Sequence, residues 1–294
     1  MEKVSRMRFL RKTKRIHKLL CGLALSGLLS IGLCMPVFAD NSSSQERLKQ
    51  AQMAIEDQRI DEAFSIYEKI VADEPSNRVA LFQLGWISNE RQQFEKALGY
   101  FKKVEPDKND GQKIMCEMGY AYRRLSRFDE AIAAYRKATE FRSDYLPAWQ
   151  GLGELLFVHS KNYPAAEKAY QRLVELNPNS ALACYRLGWC LNDSGHPDKA
   201  ITLLQQATRV EPKYKAAWVE LAFCEMKLSR FKEAHASSLK ALSLDESSVL
   251  ARDYAARACH RLGKKDEAQT HYQKLLKLSP ERAAKLKKFF QSKS

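Results

Sequence analysis

The stretch LSRFDEAIAAYRKA occupies residues 125–138, and a worn copy of it, LSRFKEAHASSLKA, occupies residues 228–241, 103 positions downstream. Outward from these two copies, small residues recur in phase along most of the chain. Ala51, Gly85, Gly119, Gly153, Gly188, Ala222 and Ala256 are separated by steps of 34 residues, with a single step of 35. A second series, Ala63, Ala97, Ala131, Ala166, Ala200, Ala234 and Ala268, follows the first by 12 residues, or by 13 at Ala166. One extra residue within VHSKNYP (158–164) therefore makes 103 three periods plus one. A fixed period of this length is the mark of a repeat architecture.

Each period reads as two helices. Ahead of each turn an apolar stripe at helical spacing surrounds the small residue, as in Trp149, Leu152, Gly153 and Leu156; after the turn FDEAIAAYRKA continues it. Polar turns such as NDSGHPDK separate the helices, and Pro75, Pro178, Pro212 and Pro280 stop units before the next begins. Two helices approach closely only where one presents no bulky side chain, which gives the small residues their role. A unit this short cannot bury its apolar face alone, so stacking on neighbours has to supply the core.

The spacing of Trp149, Leu152 and Gly153 with Ala166 and Tyr170 closely resembles the tetratricopeptide repeat. So does that of Met118, Gly119 and Tyr122 with Phe128, Ala131, Tyr135 and Ala138. Seven such units start near Ser44, Arg78, Gln112, Leu146, Ala181, Lys215 and Val249 and cover residues 44–280. The resemblance implies an all-α fold: a right-handed superhelical α-solenoid of helix-turn-helix repeats, with the first helix of each unit lining the concave face. Gln50 departs from the family pattern where a leucine is usual, and Ser238 departs where an aromatic belongs. Residues 281–294 read as a capping helix and basic tail. Ala283, Leu286 and Phe290 form its packing stripe, and Lys285, Lys287 and Lys288 lie mostly elsewhere on it.

The formal net charge of +14 is not spread evenly. Residues 1–39 carry +7 and residues 281–294 carry +4, which leaves +3 for the body, an ordinary mixed surface that argues against a nucleic-acid partner. Residues 1–39 have the layout of an export signal: a cationic stretch containing RKTKRIHK, an uncharged apolar run from Leu19, and the small-residue exit Val37-Phe38-Ala39. The expectation is cleavage after Ala39, with a signal anchor as the alternative, because the apolar run of 21 residues is long enough to span a bilayer. Either way the repeats work outside the cytosol, as a periplasmic, secreted or membrane-anchored protein, and residues 40–43 form a short linker to them.

Nothing in the chain reads as an enzyme, and no catalytic residue, cofactor or metal site is expected. His17, His159, His196, His235, His260 and His271 are scattered over different units without a ligand motif. Gly151-Leu152-Gly153 lies within a helix and lacks the third glycine of a phosphate loop, so packing explains it. Cys116, Cys184, Cys190, Cys224 and Cys259 have no metal-binding spacing and read mostly as small core residues, with one disulfide permitted by export.

Binding is the remaining expectation. On the exposed side of the first helices, residues one turn apart are Phe82, Trp86 and Asn89 in the second unit and Tyr185, Trp189 and Asn192 in the fifth. Tyr120 and Arg123 in the third unit, Phe157 in the fourth, and Phe223 and Met226 in the sixth match them. An exposed aromatic track punctuated by Asn and Arg would anchor a peptide segment or protein partner of unknown identity. The bland alternative is that these rings only fill space between units. Phe82, Trp86, Cys116 and Tyr120 stand where some members of the family hold a chaperone's C-terminal carboxylate with Lys and Asn, so that clamp is absent. The expected function is a noncatalytic interaction scaffold in envelope or secretory assembly. Alternatives are an architectural oligomer-forming subunit or an accessory to a separately encoded enzyme.

Overall fold

The computed structural model describes residues 39–291, which form fifteen α-helices. The expected signal up to residue 38 lies outside the described residues. Helices α1 (Ala39–Glu56) and α2 (Ile60–Asp73) make the first pair, α3 (Arg78–Glu90) and α4 (Phe94–Phe101) the second, and α5 (Gly111–Arg124) and α6 (Phe128–Phe141) the third. They are followed by α7 (Leu146–Val158) with α8 (Tyr163–Leu176), and α9 (Ala181–Asp193) with α10 (Pro197–Val210). The last two pairs are α11 (Lys215–Lys227) with α12 (Phe231–Leu244), and α13 (Val249–Arg261) with α14 (Lys265–Leu278); α15 (Pro280–Gln291) follows them. From the second unit on, the first helices open within one residue of the starts expected from the period. Helix α1 differs: its backbone is already helical at Ala39, so residues 40–43 continue the helix instead of forming a linker. DNSSSQER contains neither proline nor glycine to interrupt it.

The two series of small residues are buried, and they are where helices meet. A Cβ added at Gly85 would stand 2.6 Å from the Phe101 ring, at Gly119 2.9 Å from Tyr135, and at Gly188 2.9 Å from Leu204. Each glycine thus receives a large side chain from the second helix of its own pair. Gly151 is filled the same way by Tyr135, at 2.4 Å, so the packing reading of Gly151-Leu152-Gly153 holds. The side chains that fill such notches, Phe101, Tyr135, Tyr170 and Leu204, are almost wholly buried. The five cysteines are free thiols, with Cys184, Cys190, Cys224 and Cys259 buried and Cys116 half-buried.

One turn recurs between paired helices. Its middle residue has positive φ: Gln58, Gln92, Ser126, Gly195, Ser229 and Gly263, at 58° to 85°. The next residue's N–H donates five positions back, as from Gln93 to Ser88 O and from Arg127 to Tyr122 O, at 2.8 and 2.9 Å. The extra residue of the fourth unit is absorbed here, with Lys161 taking the positive φ and Asn162 N–H reaching Leu156 O at 2.9 Å. Only two of the six three-residue turns use glycine at the left-handed position, which costs the others strain. Ser126→Gly is expected to raise unfolding free energy by roughly 0.5–1 kcal/mol in urea denaturation. An unchanged or lowered midpoint would count against this strain.

Residues 46 onward pack as one compact unit. From α2 on, consecutive helices pack, and the contacts that skip a helix join first helices, α3 to α5, α5 to α7, α9 to α11 and α11 to α13, with α13 to the capping helix α15. First helices approach one another across units in this way only if they lie on the inner side of the stack. Helix α15 closes the far end, burying Ala283 and Leu286 against Ala256 and Leu275, while Lys285, Lys287 and Lys288 stay exposed.

Candidate functional site: the inner face of the first helices

The residues expected to form the binding track all lie on first helices, and the structure corrects their exposure. Trp189 is half-buried, edge-on to Phe157 at 4.9 Å and 4.7 Å from Tyr163, and Phe157 meets Tyr170 and carries Arg186 4.2 Å above its ring. Phe223 stacks on Tyr254 of the next unit, Tyr185 sits edge-on to Tyr214, and Tyr120 sits edge-on to Phe94 of the preceding unit. Phe82 lies 5.9 Å from Phe101, and Trp86 packs against the apolar cluster around Ala51, Phe64 and Tyr67. Met226 is half-buried. These rings are half-buried against neighbours of their own or the adjacent unit, which is the space-filling alternative.

The polar members of the track are brackets between units. Asn89, 1% exposed, donates from Nδ2 to the Glu117 carboxylate at 2.9 Å and to Glu117 O at 3.2 Å. Asn192, 4% exposed, repeats the bond to Glu220 at 2.6 Å and accepts from Lys227 Nζ at 2.9 Å. Both asparagines lie 28 residues before their glutamates. Burial raises the Glu220 carboxyl above its usual range, and the Asn192 bond opposes this. Arg123 reaches Glu154 at 2.8 Å. The amide nitrogens, held by the next unit's glutamates in this way, tie neighbouring first helices together, while Asn89 Oδ1 stays buried without a partner.

What the inner face does expose was missed from sequence. Val79 is 53% exposed, Leu182 54% and Leu250 39%, each the second residue of its first helix. Each lies one helical turn ahead of Phe82, Tyr185 and Asp253, on the stripe that continues to Trp86, Trp189 and Arg257. The signal was present as an aliphatic residue at one phase of the period, though residues at that phase are not apolar in every unit.

The histidines, scattered in sequence without a ligand motif, do not all stay apart in the fold. His235 and His271 converge with Cys259, their ligand atoms all within 4.8 Å of one another. Burial lowers both imidazoles, His271 to about 4, and raises the Cys259 thiol to about 11.

Tetratricopeptide repeat family models match residues 116–181, 157–213, 191–237 and 255–282, together just over half of the chain. The chain belongs to the tetratricopeptide repeat family. Over 98 residues this tetratricopeptide protein is 33% identical to the small glutamine-rich tetratricopeptide repeat-containing protein 2 of Mycosarcoma maydis, covering 33% of this chain and 28% of that one. Over 96 residues it is 32% identical to the peroxisomal targeting signal receptor of Kluyveromyces lactis, covering 33% and 17%. It therefore spans less than a third of either relative's length. Solved structures share the fold. MamA matches at TM-score 0.54 and 23% identity over 60% of this chain and 95% of its own. YrrB, described as a tetratricopeptide repeat protein with an unusual peptide-binding site, matches at 0.57 and 20% over 66% and 97%. The C-terminal part of a repeat protein from Cytophaga hutchinsonii matches at 0.61 and 15% over 81% and 98%.

Proposed function

We propose that this tetratricopeptide protein is a noncatalytic scaffold outside the cytosol, holding an apolar segment of another polypeptide along the inner face of its first helices in envelope or secretory assembly. Tetratricopeptide repeats mediate protein–protein interaction, and a relative that matches part of this chain is named as a targeting-signal receptor. The observation that carries the reading is the set of exposed aliphatics Val79, Leu182 and Leu250 at one phase of the repeat. Beside them the half-buried edges of Phe82, Trp86, Tyr185 and Trp189 extend the apolar surface. The asparagine brackets hold the spacing of this surface rigid, so a ligand pays little ordering cost on the protein side. The cationic and then apolar layout of residues 1–39 supports the location.

The test compares the full chain with its Val79→Glu, Leu182→Glu double variant, expressed in the source cell, by crosslinking and mass spectrometry. The expected result is loss of one reproducible partner segment from the double variant, at unchanged helical content and melting. The same spectra show whether the chain begins after Ala39. Equal capture by both chains rejects the inner face, and an intact cytosolic N-terminus rejects the location.

A further inference from the structure

Every second helix but one carries a large side chain at the same place in the period: Tyr67, Phe101, Tyr135, Tyr170, Leu204 and Tyr272. Helix α12 has Ser238 there instead, fully buried, its hydroxyl without a partner. No side chain of α12 joins an apolar cluster of the described residues; the clusters stop at Cys224 and resume at Ala256. The helices of this joint bury small side chains, among them Ala234, Ala241, Ala255 and Ala258, and nitrogen and sulfur donors stand where the other units place a large one.

His235 comes from α12, Cys259 from α13 and His271 from α14, with their ligand atoms within 4.8 Å of one another. His235 Nε2 and His271 Nδ1 are buried and have no hydrogen-bond partner. Native proteins rarely leave such nitrogens unsatisfied, since each forfeits its hydration without replacement. Glu267, one turn before His271 on α14, brings Oε2 to 3.5 Å from His235 Nε2, and it accepts a hydrogen bond from the Cys259 thiol at 3.6 Å.

We infer that His235, Cys259 and His271, with Glu267 as fourth ligand, bind one borderline transition-metal ion, of which Zn²⁺ suits the set best. Two imidazoles and a thiolate select zinc and its neighbours over magnesium or calcium, which take oxygen ligands. Zinc at roughly 2.0–2.3 Å from each donor holds its ligands about 3.5 Å apart, so the donors need to draw inward by about an ångström. On binding, the Cys259 proton passes to solvent and a sulfur–metal bond replaces the sulfur–hydrogen bond. The ion ties the second helix of the sixth unit to both helices of the seventh, beside the buried Ser238.

The test uses the full chain after chelator treatment, titrated with Co²⁺ and then Zn²⁺. The expected result is one Co²⁺ per chain with thiolate-to-cobalt charge-transfer absorption, displaced stoichiometrically by Zn²⁺, and a Zn²⁺-dependent rise in melting temperature. Cys259→Ser should abolish the charge-transfer band, His271→Ala should weaken binding at least tenfold, Glu267→Gln should weaken it less, and His196→Ala should leave it unchanged. If Cys259→Ser fails to fold, His271→Ala and Glu267→Gln read the same site. Failure of the wild type to bind stoichiometric Co²⁺ overturns the proposal, as does a band that survives in Cys259→Ser through Cys21 or Cys34.

Discussion

Tyr135→Ala is expected to lower the unfolding free energy by about 3–5 kcal/mol. The ring is 3% exposed and fills two notches at once, that of Gly119 on α5 and that of Gly151 on α7. Its removal opens a cavity bounded by three helices of two units, because this one ring fills the space beside both glycines. Because a repeat array is held together by nearest-neighbour interfaces, the loss should also split urea unfolding into two phases, with the units before and after the third uncoupled. The reciprocal change is diagnostic. Alanine normally outranks glycine within a helix by about 1 kcal/mol. At Gly151, however, its Cβ would lie 2.4 Å from the Tyr135 ring, so Gly151→Ala should destabilise by about 1–3 kcal/mol. In the Tyr135→Ala background the same change should become neutral or favourable. Additive effects, or a Tyr135→Ala cost below about 1 kcal/mol, would refute this wedge.

Glu225→Gln should stabilise the protein by about 3 kcal/mol above pH 8 and by almost nothing at pH 4. Glu225 is 2% exposed, its Oε2 has no partner, and burial raises its carboxyl to about 7 against the bond from Ser237. The folded chain therefore keeps a proton that the unfolded chain releases near 4.5, and stability falls as pH climbs from there to about 7. His271 acts in the opposite sense: burial depresses it to about 4, so its contribution falls away as pH drops below 6.5. The two windows overlap, and only the difference between wild type and Glu225→Gln, measured in chelator across pH 4–9, isolates the carboxyl. A difference that does not vary with pH would show that Glu225 ionises freely in the folded state.

The candidate site was half legible. Helical periodicity put Phe82 and Trp86, and likewise Tyr185 and Trp189, on one stripe of their helices, because the angle of a side chain about its helix follows from its position alone. Their exposure depends on what the adjacent unit brings, and Phe157 and Tyr163 reach Trp189 from a helix pair set by the stack. Asn89 and Asn192 read as ligand donors for the same reason: Glu117 and Glu220, which occupy them, lie 28 residues on with no motif to announce them. Ser238 stood out in sequence as a missing aromatic, yet nothing in the spacing told that His235, Cys259 and His271 would gather beside the gap.

The sequence by itself determined the helices, their pairing in seven units, the turns and the buried small residues. Each of these follows from contacts within one period, where chain connectivity leaves a single arrangement. Only the tertiary structure decided which inner-face side chains are spent between units, which aliphatics remain in water, and which imidazoles meet a thiol. Those outcomes depend on the angle at which one unit settles on the next, a quantity summed over many small packing contacts and written at no single residue.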